Sequence, residues 1–362
     1  MAAAGYPFRL LDCFAERKHQ GNQLLVLVDD AAALTDEQLL AITREIAFAE
    51  SAFICEPIYL ATLCCELSAS LQLLSSLHYS CFRERLYDRP LRSALGGTDP
   101  ADGAVNVRIF TPEYEVPFAG HPTLGLAFVA ASLGLARDDG SITLRLNAKL
   151  GGGDVAVKCG AADGVWWMEQ MAPTFVDPLP VAQLAALLPN WERVVDCTAL
   201  LEGGMVAEVS TGLPYLLIPV KGAEALAAVA TPSGGVETLT AIGRSAETHP
   251  LKLHSSLYFY HPAAGAAEGD GAKFCSRMFC FERGVWLEDA ATGSAAGCLA
   301  AQLAVHAPQN LPASIEQGVM MGRPSALSID ATAPAGEGDA WRISVGGKVV
   351  PVASGTWDTP NM

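Results

Sequence analysis

The sequence predicts an α+β protein built as two domains, and three observations carry that expectation. The chain has 362 residues of 51% hydrophobic content, enough for a large core, and the length favours two domains over one. Short β-prone runs bounded by turn residues recur along it, with few helical stretches between them. Two distant stretches also echo one another. From Val107 to Gly125 (VRIFTPEYEVPFAGHPTLG) a β-type run passes through a Thr-Pro turn to Gly120, His121, Pro122 and Thr123, where an Ala-rich helix begins. From Glu288 to Leu303 (EDAATGSAAGCLAAQL) a polar lead again gives way to a Thr, small residues and an Ala/Leu helix. The repetition predicts an internal duplication in which each half offers one helix N-terminus to a shared cleft.

The elements follow in order. Phe8 to Cys13 and Gln23 to Val28 are apolar and β-prone, separated by Lys18 to Asn22. Thr35 with Gln38 forms a capping-box pattern, and Leu39, Ile42 and Ile46 recur at helical spacing up to about Ala47. Glu50 follows in the strand-like FAESAFI. Its neighbours Phe48, Ala49, Ala52 and Phe53 are apolar and would raise its pKa; an exposed acid in a helix-to-strand loop is the alternative. The helix after His121 should run from about Pro122 to Leu133, with Leu124, Ala127, Phe128 and Ala131 on its apolar face and Gly134 as its stop.

Beyond it, Ile142 to Leu146, Asp154 to Lys158 and Val165 to Met171 read as strands, and Pro173 to Pro180 as a linker. A short helix is expected over Val181 to Leu188 and a strand pair over Val206 to Val220, with further helices at Ala223 to Ala228 and Val236 to Gly243. Ser256 to Tyr260 and Lys273 to Phe281 are strands, joined through a Gly/Ala-rich loop from Ala263 to Gly271. The tail, Ala340 to Val345 and Lys348 to Ala353 about Gly346 and Gly347, reads as a hairpin.

Charge and cysteine usage narrow the function classes. The net charge of −16, from 39 acidic and 23 basic residues, argues against nucleic acid and anionic membrane as partners. An anionic substrate is still admissible, because charges beyond about 8 Å are largely screened at physiological salt. Ten cysteines at irregular spacing, without a Cys-x-x-Cys pair, and an N-terminal Met-Ala-Ala-Ala without a charged and apolar leader predict a cytoplasmic protein. No zinc-ligand spacing, phosphate loop or nucleophile elbow occurs, and Gly151 to Gly153 is only a turn.

The motifs resemble those of the PhzF-like (phenazine biosynthesis-like) proteins, within the diaminopimelate epimerase superfamily. FRLLDCFAERKHQGNQLLVLVDD, TREIAFAESAFI, VRIFTPEYEVPFAGHPTLG, VSTGLPYLL, SRMFCFERGVWLEDAATGSAAG, QGVMMGRP and VGGKVVPVASG occur in that family's order and rough spacing. The resemblance spans about Phe8 to Gly355. It implies two pseudo-symmetric domains, each a mostly antiparallel sheet wrapped around a central helix, here 1–137 with 350–362 and 138–349. It further implies a homodimer, and isomerase chemistry without metal or organic cofactor.

Carried over residue by residue, Glu50 is the general acid/base, His121 the histidine of the GHP loop and Asp289 the acid of the ED pair. Gly120, Gly293 and Ser294 are then the substrate-binding positions, the last two as backbone donors to a carboxylate. Three departures stand out. Ala49 replaces a Ser before the acid, Ala290 a Pro after Asp289, and Asn22-Gln23 an Asn-Pro expected to be without consequence for chemistry. The segment Ile58 to Gly97 is a fourth and larger one, rich in Leu, Ser and Cys and then in Arg. It is too polar for a membrane span, so it is expected to be a surface insertion or an unspliced segment translated in frame. A mature message lacking it would support the second idea, and a peptide detected from within it would exclude that idea.

The chemistry so implied is proton transfer on a small carboxylate, with Glu50 as acid/base, two helix N-termini as anion stabilisers, and His121 and Asp289 as assistants. Taken singly, His121 is a loop histidine and Asp289 a helix N-cap; their joint placement at two duplicated helix starts favours function. The alternatives are a racemase or epimerase opposing Glu50 with Cys298 or His121, and a non-catalytic protein that binds a small molecule in the same cleft. Cys298 lies a turn into its helix and is expected to be core packing.

Overall fold

The computed structural model describes residues 5–29, 33–55, 103–263, 272–336 and 338–358. The expectations for Ile58 to Gly97 and for most of the Ala263 to Gly271 loop lie outside the described residues.

The first eight strands are β1 (Tyr6–Cys13), β2 (Asn22–Val28), β3 (Ser51–Ile54), β4 (Ala104–Phe110), β5 (Glu115–Val116), β6 (Ser141–Arg145), β7 (Asp154–Cys159) and β8 (Trp166–Glu169). Ten more follow: β9 (Thr174–Pro180), β10 (Met205–Ser210), β11 (Pro214–Pro219), β12 (Ser256–Pro262), β13 (Ala272–Glu282), β14 (Val285–Asp289), β15 (Ala313–Gln317), β16 (Ser325–Thr332), β17 (Arg342–Gly347) and β18 (Val349–Trp357). Pairing is mostly antiparallel and continuous. It runs β18, β1, β2, β3, β4, β6, β7, β8, β17, β16, β15, β13, β12, β11, β10, β9, with β5 and β14 as hairpin partners of β4 and β13.

The duplication is visible in the connections. β4 and β5 form a hairpin, a helix follows (Gly120–Ser132), and β6 returns parallel to β4. In the second half β13 and β14 form a hairpin, a helix follows (Gly293–His306), and β15 returns parallel to β13. Each helix lies inside its own wrap of strands. Both start earlier and are buried more evenly than an amphipathic reading allows. Gly120 to Ala127 are all buried in the first, as are Gly293 to Leu303 in the second, so the expected single apolar face gives way to burial all round. Phe128 and Ala131, expected on that face, are only partly buried.

The outer faces of the strands are covered too, which explains continuous apolar runs such as QLLVLV. Along β2, Leu24, Val26 and Val28 face the central core while Leu25 and Leu27 pack under the helix Asp36–Ile46. That helix carries the expected capping box, with Thr35 accepting from the Gln38 amide and the Gln38 side chain accepting from the Thr35 amide. A third cluster, with Leu184, Leu226 and Leu239, covers the outer face of β10 to β13.

Three expectations change. Pro173 to Pro180 is no linker but holds edge strand β9, paired to β10; prolines fit there because an edge leaves unused N–H positions. The tail is no hairpin: β17 pairs with β16 and β8, and β18 with β1. Gly347 marks the crossing from one wrap to the other, its backbone set on the Phe14 ring where a Cβ has no room. Finally, β6, β7 and β8 lie beyond residue 137 yet pack on the first central helix. The division we propose therefore falls after β8, with β18 returning to the first half.

Candidate active site

The two halves meet at the N-termini of the central helices. A Cβ on Gly120 would stand 2.8 Å from the Gly293 Cα and 3.0 Å from the Ser294 nitrogen, so the helix ends touch backbone to backbone. Only glycine allows this approach. Neither helix has a side-chain cap bond or an acidic residue in its first turn. Two partial positive ends, about +0.5 charge each, thus face one place.

Glu50 arrives there from the first half. The helix Asp36–Ile46 ends on Ala47 in the left-handed conformation, with φ of 56°, and the turn delivers Glu50 to the start of β3, between β2 and β4. About a fifth of its side chain stays exposed, but Oε2 is buried without a hydrogen-bond partner among the described residues. Burial, then the Asp289 and Glu282 charges, hold its pKa well above the usual carboxylate range. The expectation of a raised acid fits this geometry, and the exposed-loop alternative does not.

His121 is the second residue of the first central helix, inside the helix and not in a loop before it. Its side chain is 4% exposed, and Nε2 lies 3.6 Å from Glu50 Oε2, also without a hydrogen-bond partner among the described residues. Burial lowers its pKa to about 3, so the ring is neutral at physiological pH.

Asp289 ends β14. It accepts from Thr292 Oγ1 at 2.6 Å and from Asn22 Nδ2 at 2.7 Å, and burial raises its pKa to about 6. Thr292, not Asp289, occupies the N-cap position of the second helix. Between His121 and Asp289 stands Asn22, the first residue of β2, whose amide also lies 3.1 Å from His121 Nδ1. Ser294 is buried, its hydroxyl 2.7 Å from Tyr215 OH. Ala49, in place of a serine, is exposed.

The structure thus brings Glu50, His121, Asp289, Gly120, Gly293 and Ser294 together where the two central helices begin. Sequence reasoning missed three supports. Asn22 was set aside as chemically neutral. Gln317 clamps the Asp289 loop, donating to Asp289 O and Thr292 Oγ1 at 2.9 Å each and accepting from the Thr292 amide at 3.3 Å. Glu282, at the outer end of β13, adds a third carboxylate whose pKa burial and Asp289 push up. Asn22 and Gln317 lay inside quoted motifs, GNQ and QGV, so their position was available and only their contacts were not.

Cys298 behaves as core. It is fully buried, 3.6 Å from Thr211 Oγ1, and burial pushes its thiol up to about 12. No group of three or more His, Cys, Asp or Glu side chains that could hold a metal occurs among the described residues, and none of the described helices is long and apolar enough to cross a membrane.

Comparison with known proteins gives the family. The trans-2,3-dihydro-3-hydroxyanthranilate isomerase of Pseudomonas fluorescens is 29% identical over 353 residues, 96% of this chain and 97% of that one. Among solved structures, a PhzF-family phenazine biosynthesis protein of Bacillus anthracis superposes with a TM-score of 0.66 at 19% identity, covering 96% of this chain and 97% of that one. A predicted epimerase of Pseudomonas aeruginosa does so with a TM-score of 0.63 at 29% identity, covering 98% and 100%. The family described as phenazine biosynthesis-like protein (PhzC-PhzF) matches residues 95–355, which includes both central helices and all but Glu50 of the expected site. The chain belongs to that family, and it is an isomerase.

Proposed function

We propose that this isomerase moves a proton within a small carboxylate-bearing substrate, with Glu50 as the acid/base. The observation that carries the reading is the pair Glu50 Oε2 and His121 Nε2, 3.6 Å apart and both buried without hydrogen-bond partners among the described residues, beside two helix ends without side-chain caps. A substrate carboxylate on the Gly293 and Ser294 amides, with Gly120 opposite, would be held by charge-assisted bonds and by the helix ends, each contributing about 0.3 to 2 kcal/mol. Glu50 then takes a proton from carbon, the electrons shift along the conjugated system toward the carboxylate, and the proton returns to a different carbon. A raised pKa suits both steps, since the group must exist in either form near neutrality.

The Pseudomonas fluorescens relative acts on trans-2,3-dihydro-3-hydroxyanthranilate, a ring carboxylate of this kind, and we extend that substrate class to the present chain. A two-base epimerase with Cys298 is disfavoured by that thiol's burial and raised pKa. Cytoplasmic location and a homodimer complete the proposal; light scattering on the purified chain tests the second.

Solvent deuterium incorporation into a panel of small carboxylates, including cyclohexadiene and amino acids, tests the chemistry. Deuterium should enter at least one substrate with the parent protein and not with Glu50→Gln. Exchange that inverts a stereocentre without moving a double bond would favour an epimerase. Binding without any exchange would make the cleft a receptor.

A further inference from the structure

The hydrogen-bond arithmetic around Asn22 decides which nitrogen of His121 carries the ring proton. Asn22 is 5% exposed, and its Nδ2 lies 2.7 Å from Asp289 Oδ1, 3.0 Å from the Ala291 carbonyl oxygen and 3.1 Å from His121 Nδ1. The first two neighbours are acceptors: an ionised carboxylate and a backbone carbonyl. They fix the orientation of the amide, because turning it would set the Asn22 oxygen against two other oxygens. The nitrogen facing His121 Nδ1 is therefore a donor without acceptor capacity.

A proton on Nδ1 would point at the Asn22 N–H group, donor against donor, in a site closed to water. A lone pair on Nδ1 satisfies the contact, two amide hydrogens being shared among three acceptors. The Gln23 backbone also faces the ring and raises its pKa, and so opposes the Asn22 contact in setting the tautomer.

We propose that Asn22 is a positioning residue that holds neutral His121 as its Nε2–H tautomer, directing that proton at Glu50 and the bound substrate. The inference deepens the isomerase reading and rests on it for its functional meaning. His121 then acts as a hydrogen-bond donor. It steadies the Glu50 carboxylate once that group is ionised, or the charge developing on the substrate, and it takes up no proton itself. Nε2 has no hydrogen-bond partner within the described residues, so its donor is free for that task. Asn22 thereby links Asp289 to the ring by a shared amide nitrogen, across the two halves.

Nitrogen-15 NMR of the unliganded protein, labelled at histidine, tests this. The chain has seven histidines, and the His121 signals are those lost in His121→Gln. At pH 7 the expected pattern is a bare Nδ1 and a protonated Nε2. Asn22→Asp replaces the donor with an acceptor, and the ring proton should move to Nδ1. Because that variant adds a buried negative charge and can fail to fold, the paired exchange Asn22→Asp with Asp289→Asn, which conserves charge, should give the same inversion.

A protonated Nδ1 in the parent overturns the inference, and so does a parent-like tautomer in whichever variant folds. The reading needs no turnover. Absent deuterium exchange with an intact Nε2–H pattern would remove the isomerase proposal alone, and exchange with the opposite tautomer would remove this one alone.

Discussion

The touching helix ends make a sharp prediction about two glycines that look equivalent in sequence. Neither Gly120 nor Gly293 has a positive φ, so alanine at either position carries no backbone strain and even gains helix propensity of up to about 1 kcal/mol. Sterics alone separate them. In Gly120→Ala the new methyl would stand 2.8 Å from the Gly293 Cα, 3.0 Å from the Ser294 nitrogen and 3.1 Å from the Gly293 carbonyl carbon, all of them backbone. The closest contact is about 0.7 Å inside a normal carbon–carbon separation of roughly 3.5 Å, and relief requires the helix ends to part. In Gly293→Ala the two nearest atoms belong to side chains, the terminal Cε of Met168 at 2.8 Å and the Phe14 ring at 3.1 Å, and Gly120 Cα is 3.3 Å off. Gly120→Ala should therefore cost about 1–3 kcal/mol by urea unfolding, the range for forced overpacking, and Gly293→Ala clearly less. It should also weaken binding of small carboxylates, because the amides of the second helix move. Equal stability of the two variants, or the reverse order, would refute the idea that the ends meet backbone to backbone.

Further outcomes follow from the buried ionisable groups. Asp289 is raised from 3.8 to about 6 on folding, so its contribution is intact below pH 4 and is lost as pH rises through 6. Asp289→Asn cannot titrate, and the urea midpoint of the variant relative to the parent should shift in its favour between pH 4 and 7; a constant gap would remove the argument. Glu208, fully buried on β10, pairs with Arg244 at 2.6 Å and His249 at 3.2 Å and accepts from Ser255 Oγ. Glu208→Gln leaves a guanidinium at 10% exposure without its counter-charge and should cost about 3–5 kcal/mol, seen as a lowered urea midpoint with turnover per folded molecule unchanged. Cys298→Ala should keep deuterium exchange near parental rates, whereas a two-base epimerase would lose it.

Much of this was legible in the chain because the information is local. The Thr35 to Gln38 capping box, the strands β1 to β4 and the start of the second helix are each written in a few adjacent residues. The duplicated strand, loop and helix pointed to two helix N-termini at one place, and Gly120 and Gly293 meet there. What was not legible depends on pairing across the chain. The prolines of β9 read as a linker because nothing nearby says that an edge of β10 awaits them. The Gly346-Gly347 pair read as a hairpin turn because its real use, passing between two wraps over Phe14, needs a ring 333 positions away in sequence from Gly347. The first central helix read as one-faced from Leu124, Ala127, Phe128 and Ala131, although a helix apolar all round is itself the mark of a buried one. Asn22 was undervalued for the same reason: its three partners come from residues 121, 289 and 291.

The electrostatics of the cleft follow from setting these pieces side by side. Three carboxyl groups, Glu50, Asp289 and Glu282, gather there in a chain already at −16; Asp289 raises the pKa of the other two, and Glu282 raises that of Glu50. Beside them lie the partial positive charges of two helix N-termini without side-chain caps or acidic first turns. A bound carboxylate is drawn to the helix ends and repelled by the acids, so under the proposed reading the field orients the ligand as well as holding it. Its anionic end rests on the Gly293 and Ser294 amides, and the carbon to be deprotonated is turned toward Glu50. Burial and the same crowding raise the Glu50 pKa, which under the proposed reading eases the return of a proton just taken. A neutral His121 completes the arrangement, because a second cation beside Glu50 would stabilise the carboxylate and lower the pKa that the other acids raise.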